Sequence, residues 1–180
     1  MKENYQKILD ETIAGLEERG EVPKLLLHSC CAPCSSYVLE YLSNYFYITV
    51  LYYNPNIYPE DEYYHRAAEQ KRFIKEFPTK YAVSFVEGNF EPELFYETVK
   101  GYENIREGGE RCFRCYELRL REAAEYVKRV FQLPFVTVYG DDGGSRLVKK
   151  AAVCPGAGGP GQLCQADAGG HCLGGPLKTE

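Results

Sequence analysis

Five cysteines in two short segments are the residues of this sequence best suited to chemistry. Cys30, Cys31 and Cys34 fall within five consecutive positions, and Cys112 and Cys115 form a second Cys-x-x-Cys pair. This spacing lets two sulfurs converge on one metal ion or cluster, and four such thiolates fit an all-cysteine zinc site or an iron–sulfur cluster. Since structural zinc needs only four ligands, a fifth thiol favours a catalytic or redox iron centre.

Simpler explanations of the cysteines stay open. They include inert buried thiols, structural zinc, and a thioredoxin-like dithiol, which would need only one pair. Adjacent cysteines and a repeated Cys-x-x-Cys argue against inert packing. Cys154, Cys164 and Cys172 with His171 resemble a metal-binding tract, but they lie in a segment of different composition, and we do not expect them to be functional ligands.

Composition indicates a single globular domain of ordinary polarity. The chain has 180 residues, 44% hydrophobic and 26% charged, with a formal net charge of −5, which excludes a uniformly basic nucleic-acid binder. No apolar run approaches the roughly 20 residues of a membrane helix, and the N-terminus carries no signal-peptide core. We therefore expect a cytoplasmic protein without a membrane segment, whose thiols stay reduced.

Alternating apolar and amphipathic segments predict an α/β fold, a parallel sheet with helices on both faces. Strands are predicted at 24–28, 46–53, 82–86 and 135–139. Helices are predicted at 4–19, from Ser35 or Ser36 onward, at 61–77, at 92–100, and from the second cysteine pair to about residue 130. The cysteines would then lie at the C-terminal edge of the sheet, where such folds bind ligands. The helix N-terminus after the first segment would favour thiolates.

The chain divides into two parts by composition. Residues 1–140 are predicted to form one α/β domain that holds the metal centre. Residues 141–180 are rich in glycine, proline and cysteine and contain no tyrosine, although the chain has 16 tyrosines. Such a segment cannot bury enough apolar surface to offset the entropy of ordering, so we expect a disordered tail.

Two further features are candidates for function. Residues 54–59 form either a tight turn or a substrate loop at the cysteine edge. The tyrosines around them, which can stack on nucleobases or pack in the core, are Tyr52, Tyr53, Tyr58, Tyr63 and Tyr64. His28 precedes the first cysteines and is either a hydrogen-bonded core residue or a metal ligand or acid–base group. The basic residues of the last helix can contact phosphate or form a solvated face.

Together these motifs resemble the QueH-type epoxyqueuosine reductases over about residues 20–130. The resemblance rests on three stretches in order: Leu27-His28-Ser29-Cys30-Cys31-Ala32-Pro33-Cys34; Tyr53-Asn54-Pro55-Asn56-Ile57-Tyr58-Pro59 with Glu62-Tyr63 and Arg66; and Arg111-Cys112-Phe113-Arg114-Cys115-Tyr116 with Leu118-Arg119-Leu120. The C-terminal segment departs from the family, because its usual Ser-Pro-x-Lys-Asn-like and Tyr-Cys-Gly-Cys stretches are absent.

The resemblance implies a cobalamin-independent oxidoreductase with an adenine-nucleotide-hydrolase-like, Rossmann-like α/β fold. Such an enzyme reduces the epoxide of epoxyqueuosine at the tRNA wobble position to queuosine, the last step of queuosine biosynthesis. It implies a [4Fe–4S] cluster beside a further iron ion, with Cys31, Cys112 and Cys115 on the cluster and Cys30 and Cys34 at the adjacent metal. The partners would be the tRNA anticodon loop and an electron donor protein or reductant.

Roles for other residues follow from the same resemblance and from the chemistry of the reaction. Removal of an epoxide oxygen needs protons, which His28, Tyr58 or a water would supply. The expected substrate-binding residues are Asn54, Asn56, Tyr58, Arg66 and Arg114. The alternative function is a zinc-stabilised RNA-binding module without catalysis.

Overall fold

The computed structural model describes residues 4–130 and, beyond them, only the backbone of two short strands. None of the described helices is both long and apolar enough to cross a membrane. The elements in chain order are α1 (Tyr5–Arg19), β1 (Lys24–His28), α2 (Ala32–Leu42), β2 (Tyr47–Tyr52), α3 (Glu60–Glu76), β3 (Val83–Glu87), α4 (Pro92–Thr98), α5 (Glu110–Val130), β4 (Ala152–Val153) and β5 (Cys164–Gln165).

The sheet that carries the site is parallel, in the order β1-β2-β3. Lys24 pairs with Tyr47, and Ile48 pairs with Val83. Because all three strands run the same way, their C-terminal ends meet at one edge, and the loops after them lie side by side. The predicted parallel α/β sheet is confirmed for these strands.

Both faces of the sheet are covered, as predicted. Side chains alternate between the faces of a strand, so Leu25 and Leu27 pack with α1 and α2 while Leu26 between them packs with α5. A third cluster joins Tyr52 of β2 to Tyr63 of α3. Each fully buried side chain of this kind contributes about 1.5–3 kcal/mol, so this packing gives the site a rigid support.

The helix after the first cysteines begins earlier than predicted, at Ala32 rather than at Ser35 or Ser36. Cys31 is its N-cap residue in extended conformation, and Pro33 lies in its first turn. Proline favours this position because its φ already suits a helix and the first turn needs no N–H donor. As a result, Cys34 lies within the first turn of α2.

Two predictions lie outside the described residues. They are the strand at 135–139 and the disordered tail at 141–180. Within that tail, the structure describes only β4 and β5, which pair with each other in antiparallel register.

Candidate metal centre

The first three cysteines form a compact group of thiols between β1 and α2. The sulfurs of Cys30, Cys31 and Cys34 all lie within 4.8 Å of one another, and those of Cys30 and Cys31 are 3.8 Å apart. Cys34 is exposed and the other two are half-buried. In the part of the chain that the structure describes, no other set of three or more cysteine, histidine or acidic side chains is grouped this closely. We call these three residues the thiol triad.

Backbone hydrogen bonds fix the segment in which the triad lies. Ser29 continues the sheet by donating its N–H to the carbonyl of Leu51 at 3.1 Å. The Ser29 carbonyl accepts a hydrogen bond from Nδ2 of Asn54 at 2.8 Å. On the other side, the Ser35 hydroxyl lies 3.1 Å from the Cys31 carbonyl. The triad is therefore held at both ends.

The electrostatics of Cys30 differ from the sequence-based expectation. Burial raises its pKa to about 12, and the neighbouring thiols of Cys31 and Cys34 add to the effect. The predicted preference for thiolate near a helix N-terminus is therefore wrong for Cys30. It precedes the first helical residue, and loss of solvent outweighs the helix dipole. A bound cation would supply the positive charge that stabilises the Cys30 thiolate.

The second cysteine pair lies at the start of α5. The backbone N–H of Gly108 donates to the sulfur of Cys112 at 3.3 Å, and the positive φ of Gly108, 81°, suits glycine. Cys115 is buried. Burial raises the pKa of Cys115, although the positive charge of Arg119 opposes this. The pair does not join the triad's close group, so joint coordination of one centre by all five cysteines stays a prediction.

A buried arginine connects the two cysteine segments. Arg119 donates from Nε to the carbonyl of Cys115 at 3.4 Å and from Nη1 to Oδ1 of Asn54 at 3.4 Å. Sequence reasoning assigned Arg119 to a basic helix face, but its side chain points inward and the residue is only 7% exposed. The local signal for this role is its position, four residues after Cys115, which places it on the cysteine face of the helix.

The two predicted proton donors occupy different environments. His28 is buried and its Nε2 lies 2.8 Å from the carbonyl of Tyr53. Because a carbonyl only accepts, this nitrogen carries the proton. Tyr58 is 79% exposed. A pocket beside the triad is lined by Leu27, His28, Ser29, Cys30, Cys34, Ser35 and Val38.

The two predicted asparagines of the 54–59 loop also differ. Asn54 is fully buried, and both ends of its amide bond to the protein, at the Ser29 carbonyl and at Arg119. Asn56 is half-buried, and its Oδ1 atom is buried without a hydrogen-bond partner among the described residues. In this loop the amide of Asn54 is therefore hydrogen-bonded within the protein, whereas the amide oxygen of Asn56 has no partner among the described residues.

The two predicted arginines are each paired with an acidic side chain. Arg66 donates from Nε to Glu62 at 2.6 Å, and this hydrogen bond raises the pKa of Arg66, with a smaller contribution from Cys31. Arg114 lies 3.3 Å from Glu110 and its guanidinium lies 4.1 Å from the centre of the Tyr102 ring. Both arginine side chains are about 40% exposed, so each keeps a surface for a ligand.

The tyrosines near the loop fall into two groups. Tyr52, Tyr53 and Tyr63 are fully buried, which assigns them to the core, whereas Tyr58 and Tyr64 are exposed. Two exposed aromatic residues of α5 adjoin the second cysteine pair in sequence, namely Phe113 and Tyr116. These two were not singled out as possible base-stacking residues, although their position beside Cys112 and Cys115 was a usable signal.

Comparison with known proteins agrees with this arrangement. A family profile described as "Epoxyqueuosine reductase QueH" matches residues 25–138, which include all five cysteines. Proteins with that name are similar to this chain in Staphylococcus epidermidis (44% identity over 128 residues, 69% of this chain and 54% of the relative) and Haemophilus influenzae (39% over 134 residues, 71% and 53%). The Streptococcus pyogenes relative is 40% identical over 126 residues, 69% of this chain and 49% of its own. The chain thus spans about half the length of the curated relatives it matches. It belongs to the epoxyqueuosine reductase QueH family.

Proposed function

We propose that this chain is a cytoplasmic oxidoreductase that reduces the epoxide of epoxyqueuosine at the tRNA wobble position to queuosine. The reaction would use an iron–sulfur centre. The observation that carries the proposal is the thiol triad at the end of β1, within the region that matches the family. The shared name of the relatives supports the same reaction.

The residues present suit the implied metal groups. Thiolate sulfur is the usual ligand of iron–sulfur clusters, and five cysteines are available in two segments. Cys31, Cys112 and Cys115 would hold a [4Fe–4S] cluster, while Cys30 and Cys34 would bind the adjacent iron. The hydrogen bond from the Gly108 N–H to the Cys112 sulfur is of the kind that tunes cluster thiolates.

The reaction breaks both C–O bonds of the epoxide, forms a C=C bond and releases the oxygen as water. It consumes two electrons and two protons. When bound, the iron centre would supply electrons and a Lewis acid for the departing oxygen. A separate donor protein or reductant would restore the electrons.

Side chains of this chain would bind the substrate and deliver protons. Tyr58 is the more accessible donor, since its ring is 79% exposed, whereas His28 lines the pocket with one ring nitrogen already bonded to Tyr53. The unpaired Oδ1 of Asn56 would accept a hydrogen bond from the substrate. Asn54 would position the site rather than contact the substrate, because its amide is already fully engaged.

Recognition of tRNA would combine stacking and charge. Single-stranded loops are bound through bases stacked on aromatic rings, and exposed rings are present at Tyr58, Phe113 and Tyr116. The partly exposed side chains of Arg66 and Arg114 would contact the anticodon backbone or the modified base. Such contacts would form a local surface for binding nucleic acid, rather than a uniformly basic one.

Complementation tests the proposed reaction. The chain is expressed in cells that accumulate epoxyqueuosine, and tRNA nucleosides are separated by mass spectrometry. Queuosine should appear with the unchanged chain and be lost with Cys112→Ala, whereas Cys154→Ser should behave like the unchanged chain. Absence of queuosine with the unchanged chain would contradict the proposal, and conversion by Cys112→Ala would contradict the cluster assignment.

The second candidate is a zinc-stabilised RNA-binding module, since a group of three thiols also suits zinc. Metal analysis of protein purified without oxygen separates the two functions. Iron and inorganic sulfide together support the reductase. Stoichiometric zinc without iron would favour the RNA-binding module.

A further inference from the structure

One amide side chain lies buried behind the thiol triad and is not used by the proposed reaction. Gln70 of α3 is fully buried. Its Oε1 accepts hydrogen bonds from the hydroxyls of Ser29 and Ser35, each at 3.0 Å. These partners lie 41 and 35 positions away in the sequence, so the contact is tertiary.

The two serines enclose the triad on both sides. Ser29 directly precedes Cys30, and Ser35 directly follows Cys34. Both hydroxyls also approach the Cys31 carbonyl, at 3.3 and 3.1 Å. Both serines line the pocket together with Cys30 and Cys34. A single oxygen of Gln70 therefore joins the start and the end of the segment that carries the three thiols.

Packing alone does not account for an amide at this position. The Nε2 atom of Gln70 is buried and has no hydrogen-bond partner among the described residues. A buried unsatisfied polar atom costs about 1–3 kcal/mol, whereas leucine or methionine would fill a buried helix position without that cost. An amide that bears this cost indicates a use for its bonded oxygen.

We propose that Gln70 is a positioning residue for metal binding by the thiol triad. By holding Ser29 and Ser35 together, it sets the spacing of Cys30, Cys31 and Cys34 before any metal arrives. The inference rests on the proposed function only in requiring that the triad binds metal. It does not depend on the reductase reaction.

Cobalt(II) titration of metal-free protein without oxygen provides the test, because thiolate–cobalt absorption reports affinity and ligand geometry without turnover. Gln70→Met and Ser35→Ala should each weaken cobalt binding by about 10- to 100-fold, as loss of outer contacts of metal ligands does, and should alter the shape of the visible bands. The matched control is Ser36→Ala, because among the described residues the Ser36 hydroxyl bonds only to the Pro33 carbonyl of the same helix, at 3.0 Å. This control should bind cobalt like the unchanged protein.

The double variant Gln70→Met/Ser35→Ala should lose less cobalt affinity than the two single losses combined, because both changes remove the Ser35–Gln70 hydrogen bond. Circular dichroism spectra and melting temperatures are recorded for every variant. If Gln70→Met does not fold, Ser35→Ala alone provides the test. Unchanged affinity and spectrum in Ser35→Ala, or an equal loss in Ser36→Ala, would overturn the assignment. A chain that shows these cobalt effects but makes no queuosine would overturn the proposed function alone.

Discussion

Arg119 of α5 and Asn54, in the loop after β2, are joined by a hydrogen bond of 3.4 Å from Nη1 to Oδ1. The same arginine bonds to the carbonyl of Cys115, and the same asparagine bonds to the carbonyl of Ser29. This chain of contacts connects the residue before the triad to the buried cysteine of the second pair. These contacts fix the position of the first cysteine segment relative to the second cysteine pair.

Replacement of Asn54 by leucine should destabilise the metal-free protein by about 2–4 kcal/mol, because it leaves a buried carbonyl and a buried guanidinium without their partner. Urea unfolding measures the loss. Arg119→Met should lower the cost of Asn54→Leu when the two are combined, since the unpaired charge is then gone. Asn89→Ala, at an exposed asparagine in the loop after β3, is the control and should change stability little. Strictly additive losses would contradict coupling between Arg119 and Asn54.

Alanine substitutions at two glycines of one loop separate the cost of backbone strain from an effect on Cys112. Gly108 and Gly101 have φ of 81° and 83°, and an added Cβ meets nothing within 4 Å at either. Alanine should cost about 1–2 kcal/mol at both. Only Gly108→Ala should also shift the reduction potential of iron-reconstituted protein, to a more negative value, because it disturbs the N–H···S bond. Equal potentials in the two variants would show that this bond has no such role.

Thiol labelling of metal-free protein should follow exposure. Cys34 is exposed and Cys115 is buried, and burial raises the pKa of both Cys30 and Cys115, which lowers their reactive thiolate fraction. Peptide mapping after brief treatment with iodoacetamide at neutral pH should therefore find Cys34 modified first among the five cysteines whose exposure the structure describes. Cobalt added beforehand should protect it. Faster labelling of Cys115 than of Cys34 would contradict the described burial.

Glu122 provides a test of pH dependence away from the thiols. Burial raises its pKa, Arg129 opposes this, and Glu91 adds to the rise. Its ionisation therefore penalises the folded state once the pH exceeds the ordinary range of glutamate, about 4.3. Glu122→Gln should raise the melting temperature at pH 7.5, and the gain should shrink as the pH falls toward that range. Glu18→Gln, at an exposed position of α1, is the control. A gain independent of pH would contradict this account.

The three described strands of the parallel sheet and the grouping of the first three cysteines were predicted well, because their signals are local. Apolar runs place β1 to β3 within one residue of the predicted bounds, and the cysteines stand out by type and spacing. The start of α2 was misplaced because serine is the commoner capping residue. Here Cys31 occupies the N-cap position without a side-chain hydrogen bond, and Pro33 supports the first turn.

Supporting residues escaped prediction because their contacts are distant in sequence. Arg119 is 65 positions from Asn54, and in sequence it resembles any basic residue on a solvated helix. Gln70 has the same disadvantage, since a lone glutamine in a polar helix carries no sign of burial. Only the packing of α3 and α5 against the sheet turns these two side chains inward.

The three apolar clusters that pack the sheet and helices contain none of the five cysteines. In zinc fingers, by contrast, metal binding and folding are one event. Here the order of events should be folding first and loading afterwards. Iron supply would then govern what fraction of the folded protein carries its metal. Starvation for iron would leave folded chains that bind metal again once iron returns, without new protein synthesis.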